Sequence, residues 1–372
     1  MPPQPGAGAR SDQQYPPTRV GRPYADQPYR DQPPAQPRSG EPPQRPADPR
    51  RVGAAPPRPR RRRPRWGRRI GVVALVLVLL FVGFFFYLDS SLKRTEALED
   101  YPGRVADTPG TNWLLVGSDS RVGLTPDQEQ ALNTGSESDA GGSRTDTIML
   151  LHIPEGSDSP TLVSIPRDSE LTIPGHGRDK VNAAFAIGGA PLLAQTVEVA
   201  TKVRIDHYAE IGFGGFANLV DAVGGVNMCI DPPGMNDPFS GARFEPGCQD
   251  LTGAQALAYV RNRHDYPDAD VTRVAHQREF LSALMGKASS VGTLLNPFRV
   301  FPLVTNGVSS FTVDDGDHLW HLAAMGWAMR GGMVTTTVPF DGGSRWTSDA
   351  PRFWAAIAAD EPVPSELLTK PR

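Results

Sequence analysis

Asn112-Trp-Leu-Leu-Val-Gly-Ser-Asp-Ser-Arg121 is the stretch that decides the fold class. Residues 112–116 are a short, largely apolar run closed by Gly117, the pattern of a buried strand entering a loop. The loop, Gly117-Ser-Asp-Ser-Arg121, then sets a carboxylate and a guanidinium among small residues. Asp146-Thr-Ile-Met-Leu-Leu-His-Ile153 and Thr161-Leu-Val-Ser-Ile165 read as two more strands around a turn at residues 154–160. Each again carries an Arg and an Asp at one end. Arg144-Thr-Asp-Thr147 opens the first, and Pro166-Arg-Asp168 follows the second.

Helical spacing occupies the intervals. Pro191 to Val203 has Leu192, Leu193, Val197 and Ala200 on one face, with Pro near its first turn. Phe213 to Val223 is a second helix, stopped by Gly224-Gly225. Thr252-Gly-Ala-Gln255 has the capping-box pattern and opens a third, running towards Val260. A longer one covers about Val271 to Ala288. Asp315 or Asp317, and Ser348, are expected to cap two more, with the strand Val334–Val338 between them. Strands alternating with helices predict an α/β domain with a central mixed sheet. The polar stretch Val122 to Ser143 reads as a mobile excursion between two strands.

Further outward, the chain is not uniform. The first 69 residues hold 16 Arg against 5 acidic groups, a net of +11; the whole chain carries −3, so the remainder carries −14. Residues 1–60 are rich in Pro, Gln, Arg, Gly and Asp and cannot bury enough apolar surface to offset ordering entropy, so a disordered tail (1–69) is expected. Eight Arg lie between Arg58 and Arg69, directly before Ile70–Leu88, 19 residues without a charge. As a helix that run is about 28 Å long, close to the hydrocarbon thickness of a bilayer. A cleaved signal peptide would place a shorter core near the N-terminus. A single membrane-spanning helix (70–88) fits best, and the basic flank places the tail in the cytoplasm and residues 90–372 outside. Cys229 and Cys248 both fall on the exported side, where the reading favours a disulfide over two free thiols.

In an open α/β sheet ligands bind at strand ends, so the three Arg/Asp loops are candidate site residues. A fourth Arg-rich segment is Tyr259-Val-Arg-Asn-Arg263, followed by Asp270-Val-Thr-Arg273 and His276-Gln-Arg278. Arg273 and Gln277, four apart, share a helix face. Guanidinium forks match phosphate oxygens bidentately. The interspersed Asp residues either pair with them or hold a hard cation such as Mg²⁺, which takes one or two carboxylates plus substrate phosphates. Taken singly, each pair is an ordinary surface ion pair worth little; the recurrence at strand ends favours a diphosphate site. The sequence lacks a phosphate-binding Gly-x4-Gly-Lys-Ser/Thr, a Gly-x-Gly-x-x-Gly fingerprint, a Gly-x-Ser-x-Gly elbow and a His-Glu-x-x-His zinc pair. His152, His176 and His207 read as structural, and residues 264–269 as a solvated loop. The Arg tract abuts the span, so it reads as a topology signal or anionic-lipid contact, with no nucleic acid expected.

One N-terminal span with an exported domain resembles the LytR-CpsA-Psr (LCP) family. So do Asn112–Arg121, Arg144-Thr-Asp-Thr-Ile-Met-Leu150, Ser164-Ile-Pro-Arg-Asp168 and Lys180-Val-Asn-Ala-Ala-Phe185. Leu219-Val-Asp-Ala-Val-Gly-Gly-Val226, Leu251-Thr-Gly-x-Gln-Ala-Leu257 and the Arg261-x-Arg263, Asp270-x-x-Arg273, Gln277-Arg278 block continue it in order. The resemblance covers roughly 110–290 and fades beyond. It implies a three-layer α/β/α domain, with 89–109 as linker, 110–290 as catalytic core and 291–372 as the rest of the same domain. It implies a long apolar pocket for a prenyl chain, with the diphosphate at its mouth. Asp119 and Asp146 would hold Mg²⁺ (or Mn²⁺). Arg121, Arg144, Arg167, Lys180, Arg261, Arg263 and Arg273 would surround the phosphates, with Gln277 in the same shell. Asp119 and Asp168 are both candidates for removing the acceptor proton. The implied activity is transfer of a glycan phosphate from a polyprenyl-diphosphate carrier to a peptidoglycan sugar hydroxyl, forming a phosphodiester and releasing polyprenyl phosphate. The cysteine pair and the Pro/Arg-rich tail suggest an actinobacterial member, acting on arabinogalactan or a teichoic-acid-like polymer. Two rival readings are a carrier-binding sensor without turnover and a membrane-bound transcription attenuator. The latter needs a cytoplasmic DNA-reading fold, and the first 69 residues show no helix-turn-helix pattern.

Overall fold

The three apolar runs read as strands lie side by side in a seven-stranded mixed sheet. The computed structural model describes residues 66–369, except 122–123, 135–144, 157, 263–268, 289 and 291–296, and without the side chains of 269–275, 297–300, 302–303 and 306. The disordered-tail expectation therefore falls almost wholly outside the described residues.

The strands are β1 (Lys93–Thr95), β2 (Thr111–Ser118), β3 (Thr145–Ile153), β4 (Thr161–Ile165), β5 (Glu170–Ile173), β6 (Gly177–Lys180) and β7 (His207–Ile211). After them come β8 (Val226–Ile230), β9 (Met235–Asp237), β10 (Ala242–Phe244), β11 (Gly247–Leu251), β12 (Phe311–Asp314) and β13 (Val334–Thr337). The helices are α1 (Trp66–Ser90), α2 (Pro126–Ala131), α3 (Val181–Thr201), α4 (Phe213–Ala222) and α5 (Gly253–Arg261). They continue as α6 (Ala269–Ala288), α7 (Pro297–Ser310), α8 (Leu319–Met329) and α9 (Ala350–Ala358). The sheet order is β1-β12-β7-β2-β3-β4-β13.

Period-2 alternation sends the strand side chains to two faces. Leu114, Val116, Ile148, Leu150, Val163 and Ile165 pack against α3 and α9. Trp113, Met149, Leu151, Leu162 and Ala209 pack the other way, against Val308 of α7 and Met325 and Met329 of α8. The result is the expected three-layer α/β/α arrangement. A further cluster joins α4, α5, α6 and the β8–β11 pair. In that pair Cys229 and Cys248 stand directly opposite each other and are disulfide-bonded.

Among the described residues, two helices are long and apolar enough to cross a membrane. In α3 much of the apolar surface is core: Val181, Phe185, Leu193 and Val197 are buried against the sheet. In α1 the apolar window has no buried residue, and Leu75 to Phe81 are all exposed. A helix apolar all round and unburied by protein has lipid as its natural solvent.

Some local expectations need correction. The helix expected from Pro191 begins ten residues earlier, at Val181, and kinks where Gly188 and Gly189 leave helical dihedrals; the glycine pair hides the first half from a periodicity count. The last two caps are His318 and Asp349, each just past the residues expected. Part of the stretch read as a mobile excursion is ordered, because Thr125 and Gln128 form a capping box that starts α2. The capping box at Thr252 and Gln255 forms as expected.

Candidate active site

β2 pairs in parallel with β7, and antiparallel with β3, which is in turn antiparallel to β4. The C-terminal ends of β2, β4 and β7 and the start of β3 therefore share one edge of the sheet. Asp119 and Arg121 follow β2, Asp146 is the second residue of β3, and Arg167 and Asp168 follow β4. The loop after β7 closes on the loop after β2: Phe213 N–H donates to Ser120 O at 3.3 Å, and a Cβ on Gly212 would lie 2.9 Å from that same oxygen.

Direct bonds link four of the site residues. Arg167 donates from Nη1 to Asp146 Oδ1 at 2.5 Å and from Nε to Asp168 Oδ2 at 3.3 Å. Lys180, at the start of α3, donates from Nζ to Asp168 Oδ1 at 2.6 Å. Burial alone would raise the Asp168 carboxyl, but the Lys180 hydrogen bond and the Arg167 charge outweigh it and hold it below the usual carboxylate range. Arg261 ends α5; its guanidinium lies 4.8 Å from the Phe213 ring centre and donates to the carbonyls of Leu132 and Asn133. Burial lowers the Arg261 pKa; the charges of Asp146, Asp237 and Asp119 oppose the shift and that of Arg121 adds to it. A guanidinium stays protonated regardless, so the site keeps a partly desolvated fixed cation.

Behind this edge runs a cavity of about 180 Å³. Leu115, Ala209, Phe216, Phe280 and Leu284 line it from β2, β7, α4 and α6, and Met325 and Met329 of α8 close its side. Its few polar residues are Ser118, Asp146, Thr147, Arg261 and Gln277. Gln277 is buried and donates to Val260 O at 3.4 Å. An apolar cavity with charged and hydrogen-bonding groups at the strand-end edge suits an amphiphile with an apolar chain and an anionic head.

Arg144 and Arg263 lie outside the described residues, as does the side chain of Arg273. Sequence reasoning missed Ser118, whose buried hydroxyl lines the cavity without a hydrogen-bond partner among the described residues. It also missed the wall made by Phe311 of β12 and by Met325 and Met329 of α8, because these residues follow position 290. His207 belongs to the opposite end of the sheet. There it bonds Asp317, which also accepts Tyr208 N–H at 3.0 Å, and His321 Nδ1 sits 3.2 Å from the same carboxylate. These contacts tie α8 to the sheet. His152 likewise bridges Asn112 and Asp360.

Comparisons with known proteins agree with this layout. Probable cell wall biosynthesis protein LcpB of Corynebacterium glutamicum is 56% identical over 273 residues, 73% of this chain; the chain spans only 64% of LcpB's own length. The polyisoprenyl-teichoic acid–peptidoglycan teichoic acid transferase TagU of Bacillus mycoides is 35% identical over 66% of this chain and 78% of its own. Among solved structures, a LytR-Csp2A-Psr enzyme from Actinomyces oris shares the fold, with 20% identity and a TM-score of 0.58 over 72% of this chain and 96% of that one. The LytR_cpsA_psr family model matches residues 88–350. The chain therefore belongs to the LytR-CpsA-Psr family.

Proposed function

We propose that this chain transfers a glycan phosphate from a polyprenyl-diphosphate carrier to a sugar hydroxyl of peptidoglycan, outside the membrane that α1 crosses. The observation that carries the proposal is the apolar cavity ending at Asp146 and Arg261, beside the Arg167–Asp168–Lys180 cluster. The cavity fits the prenyl chain and the cations fit the diphosphate. Family membership and the transferase name borne by TagU support the same chemistry.

In the reaction the acceptor oxygen forms a bond to the distal phosphorus, and the bond from that phosphorus to the bridging oxygen breaks. The carrier leaves as polyprenyl phosphate, and the hydroxyl proton passes to a carboxylate. Arg167, Arg261 and Lys180 offset the negative charge of the transferring phosphoryl group, where preorganised cations act most strongly. Asp168 positions Arg167 and Lys180, and Asp119 or Asp168 receives the proton.

The donor set also suits Mg²⁺ or Mn²⁺. Asp146 and Asp119 both act on the Arg261 charge, and Asp146 has one oxygen engaged by Arg167 while lining the cavity. Hard carboxylate oxygens facing a phosphate site match the preference of these ions. A bound ion would draw charge from the phosphate oxygens.

The test is release of polyprenyl phosphate from a polyprenyl-diphosphate glycan by the full chain, with and without Mg²⁺. Release that depends on Mg²⁺ and disappears in Asp119→Ala is the expected result. Carrier bound without release would replace the transferase with a carrier-binding protein; full turnover in a folded Asp119→Ala variant would remove the metal role.

A further inference from the structure

Helix α8 has the wrong surface for water. Its exposed positions include Trp320, Ala323, Ala324 and Trp327, spaced as one helical face, with Gly326 beside them. Trp327 is 67% exposed and Trp320 45%. No charged side chain lies between His321 and Arg330, whereas a solvated helix face is normally polar.

The position of this face is set by α1. Asp89 is the first charged residue after the apolar run, and its carboxylate accepts Leu319 N–H at 2.8 Å, the first N–H of α8. It also contacts His318 Nδ1 at 3.0 Å. The start of α8 is thus pinned to the point where α1 leaves the hydrocarbon. One turn back along α1, Phe85 stacks on Trp320 with ring centres 6.4 Å apart, and Phe84 stacks on the exposed Phe301 of α7 at 6.0 Å. Four residues of helix are about 6 Å, so these rings sit below the level of Asp89, within the depth at which interfacial helices embed. Trp327 lies two turns from Trp320 on the same face, with the Arg330 guanidinium 3.5 Å from its ring centre. An aromatic ring with a cation stacked on its face fits the boundary between acyl chains and phosphate headgroups.

We propose that the Trp320–Trp327 face of α8, with Phe301 of α7, lies in the outer leaflet of the bilayer that α1 spans. The domain then rests on the membrane as well as being tethered to it. The opposite face of the same helix, Met325 and Met329, lines the cavity, so a single helix separates the cavity from the leaflet. This proposal rests on α1 crossing the bilayer and not on the transfer chemistry.

The full chain in nanodiscs made with lipids brominated along the acyl chains tests it, because bromine quenches only tryptophans in contact with the chains. Trp327→Phe and Trp320→Phe should each remove part of the quenched emission. Trp346→Phe, across the sheet, should remove none, and Trp66→Phe reports separately on the insertion of α1. Ala324→Glu should move the remaining emission to longer wavelength by lifting the face out of the lipid. Insertion of α1 with quenching unchanged in Trp327→Phe would place that ring in water or against a second copy, and would overturn the proposal.

Discussion

Arg167 donates to Asp146 across 2.5 Å, and through this contact the loop after β4 is bound to the start of β3. The same guanidinium reaches Asp168 at 3.3 Å. A lysine at this position keeps the charge but cannot present a planar fork to two carboxylates. Arg167→Lys should therefore lower turnover by about 10²-fold, the scale of losing one preorganised electrostatic contact. The thermal midpoint should stay near that of wild type. Wild-type turnover in this variant would show that the bridge has no part in catalysis.

The pH dependence of stability at the site follows from Asp168. Its folded pKa lies below the ordinary value of 3.8, against the effect of burial, because Lys180 and Arg167 favour the carboxylate. A depressed carboxyl contributes stability that is complete above its unfolded pKa and is lost as pH falls through the folded one. Lys180→Met removes the largest lowering interaction. The difference in unfolding free energy between pH 5 and pH 3, measured by urea titration, should then shrink relative to wild type. An unchanged difference would mean that Lys180 does not set the Asp168 charge.

Cys229 and Cys248 close a loop over a separation of 19 residues. In the chain-entropy model such a crosslink contributes about 3 kcal/mol by restricting the unfolded chain. Cys229→Ser with Cys248→Ser should lower the unfolding free energy by about that amount. Adding a reductant should lower the stability of wild type to match, and leave the double variant unaffected.

Gly253 is the point of closest approach between α4 and α5: a Cβ there would lie 2.2 Å from the Ala217 carbonyl oxygen. Backbone cannot swing away as a side chain can. Gly253→Ala should cost about 3 kcal/mol or more, and because α4 and α5 carry Phe216, Leu219, Leu257 and Val260, binding of a prenyl chain should weaken as well. A stability equal to wild type in thermal melts would contradict this packing.

Much of the site was legible because its chemistry is local. Asp119, Asp146, Arg167 and Asp168 sit at the ends of apolar runs whose strand character is plain, and the sheet places those ends on one edge. Arg261 stood out in an Arg-rich segment at a helix end, but Lys180 required the family pattern, since nothing in spacing alone carries the start of α3 to that edge. The cavity wall was not legible. Phe311, Met325 and Met329 line it only because β12 joins the sheet beside β7, a long-range pairing that leaves no trace in local periodicity. The short strands β8 to β11 were hidden too, in a Pro- and Gly-rich stretch that reads as loop until the two cysteines are seen opposite each other.

The pairing of β1 with β12 bears on the order in which the molecule is assembled. β1 begins three residues after α1 ends, yet its partner strand is Phe311–Asp314. The Asp314 carboxylate also accepts the N–H groups of Ala97 and Leu98, at 3.0 and 2.8 Å, from 217 and 216 residues away. During synthesis the apolar helix α1 therefore emerges long before the strand that fastens the segment after it to the sheet. A nascent chain holds its tether and its folding domain as separate bodies until residue 314 is made, and contacts of such separation are the slow ones to form. A chain cut short before Phe311 would still carry α1, but on a loose line.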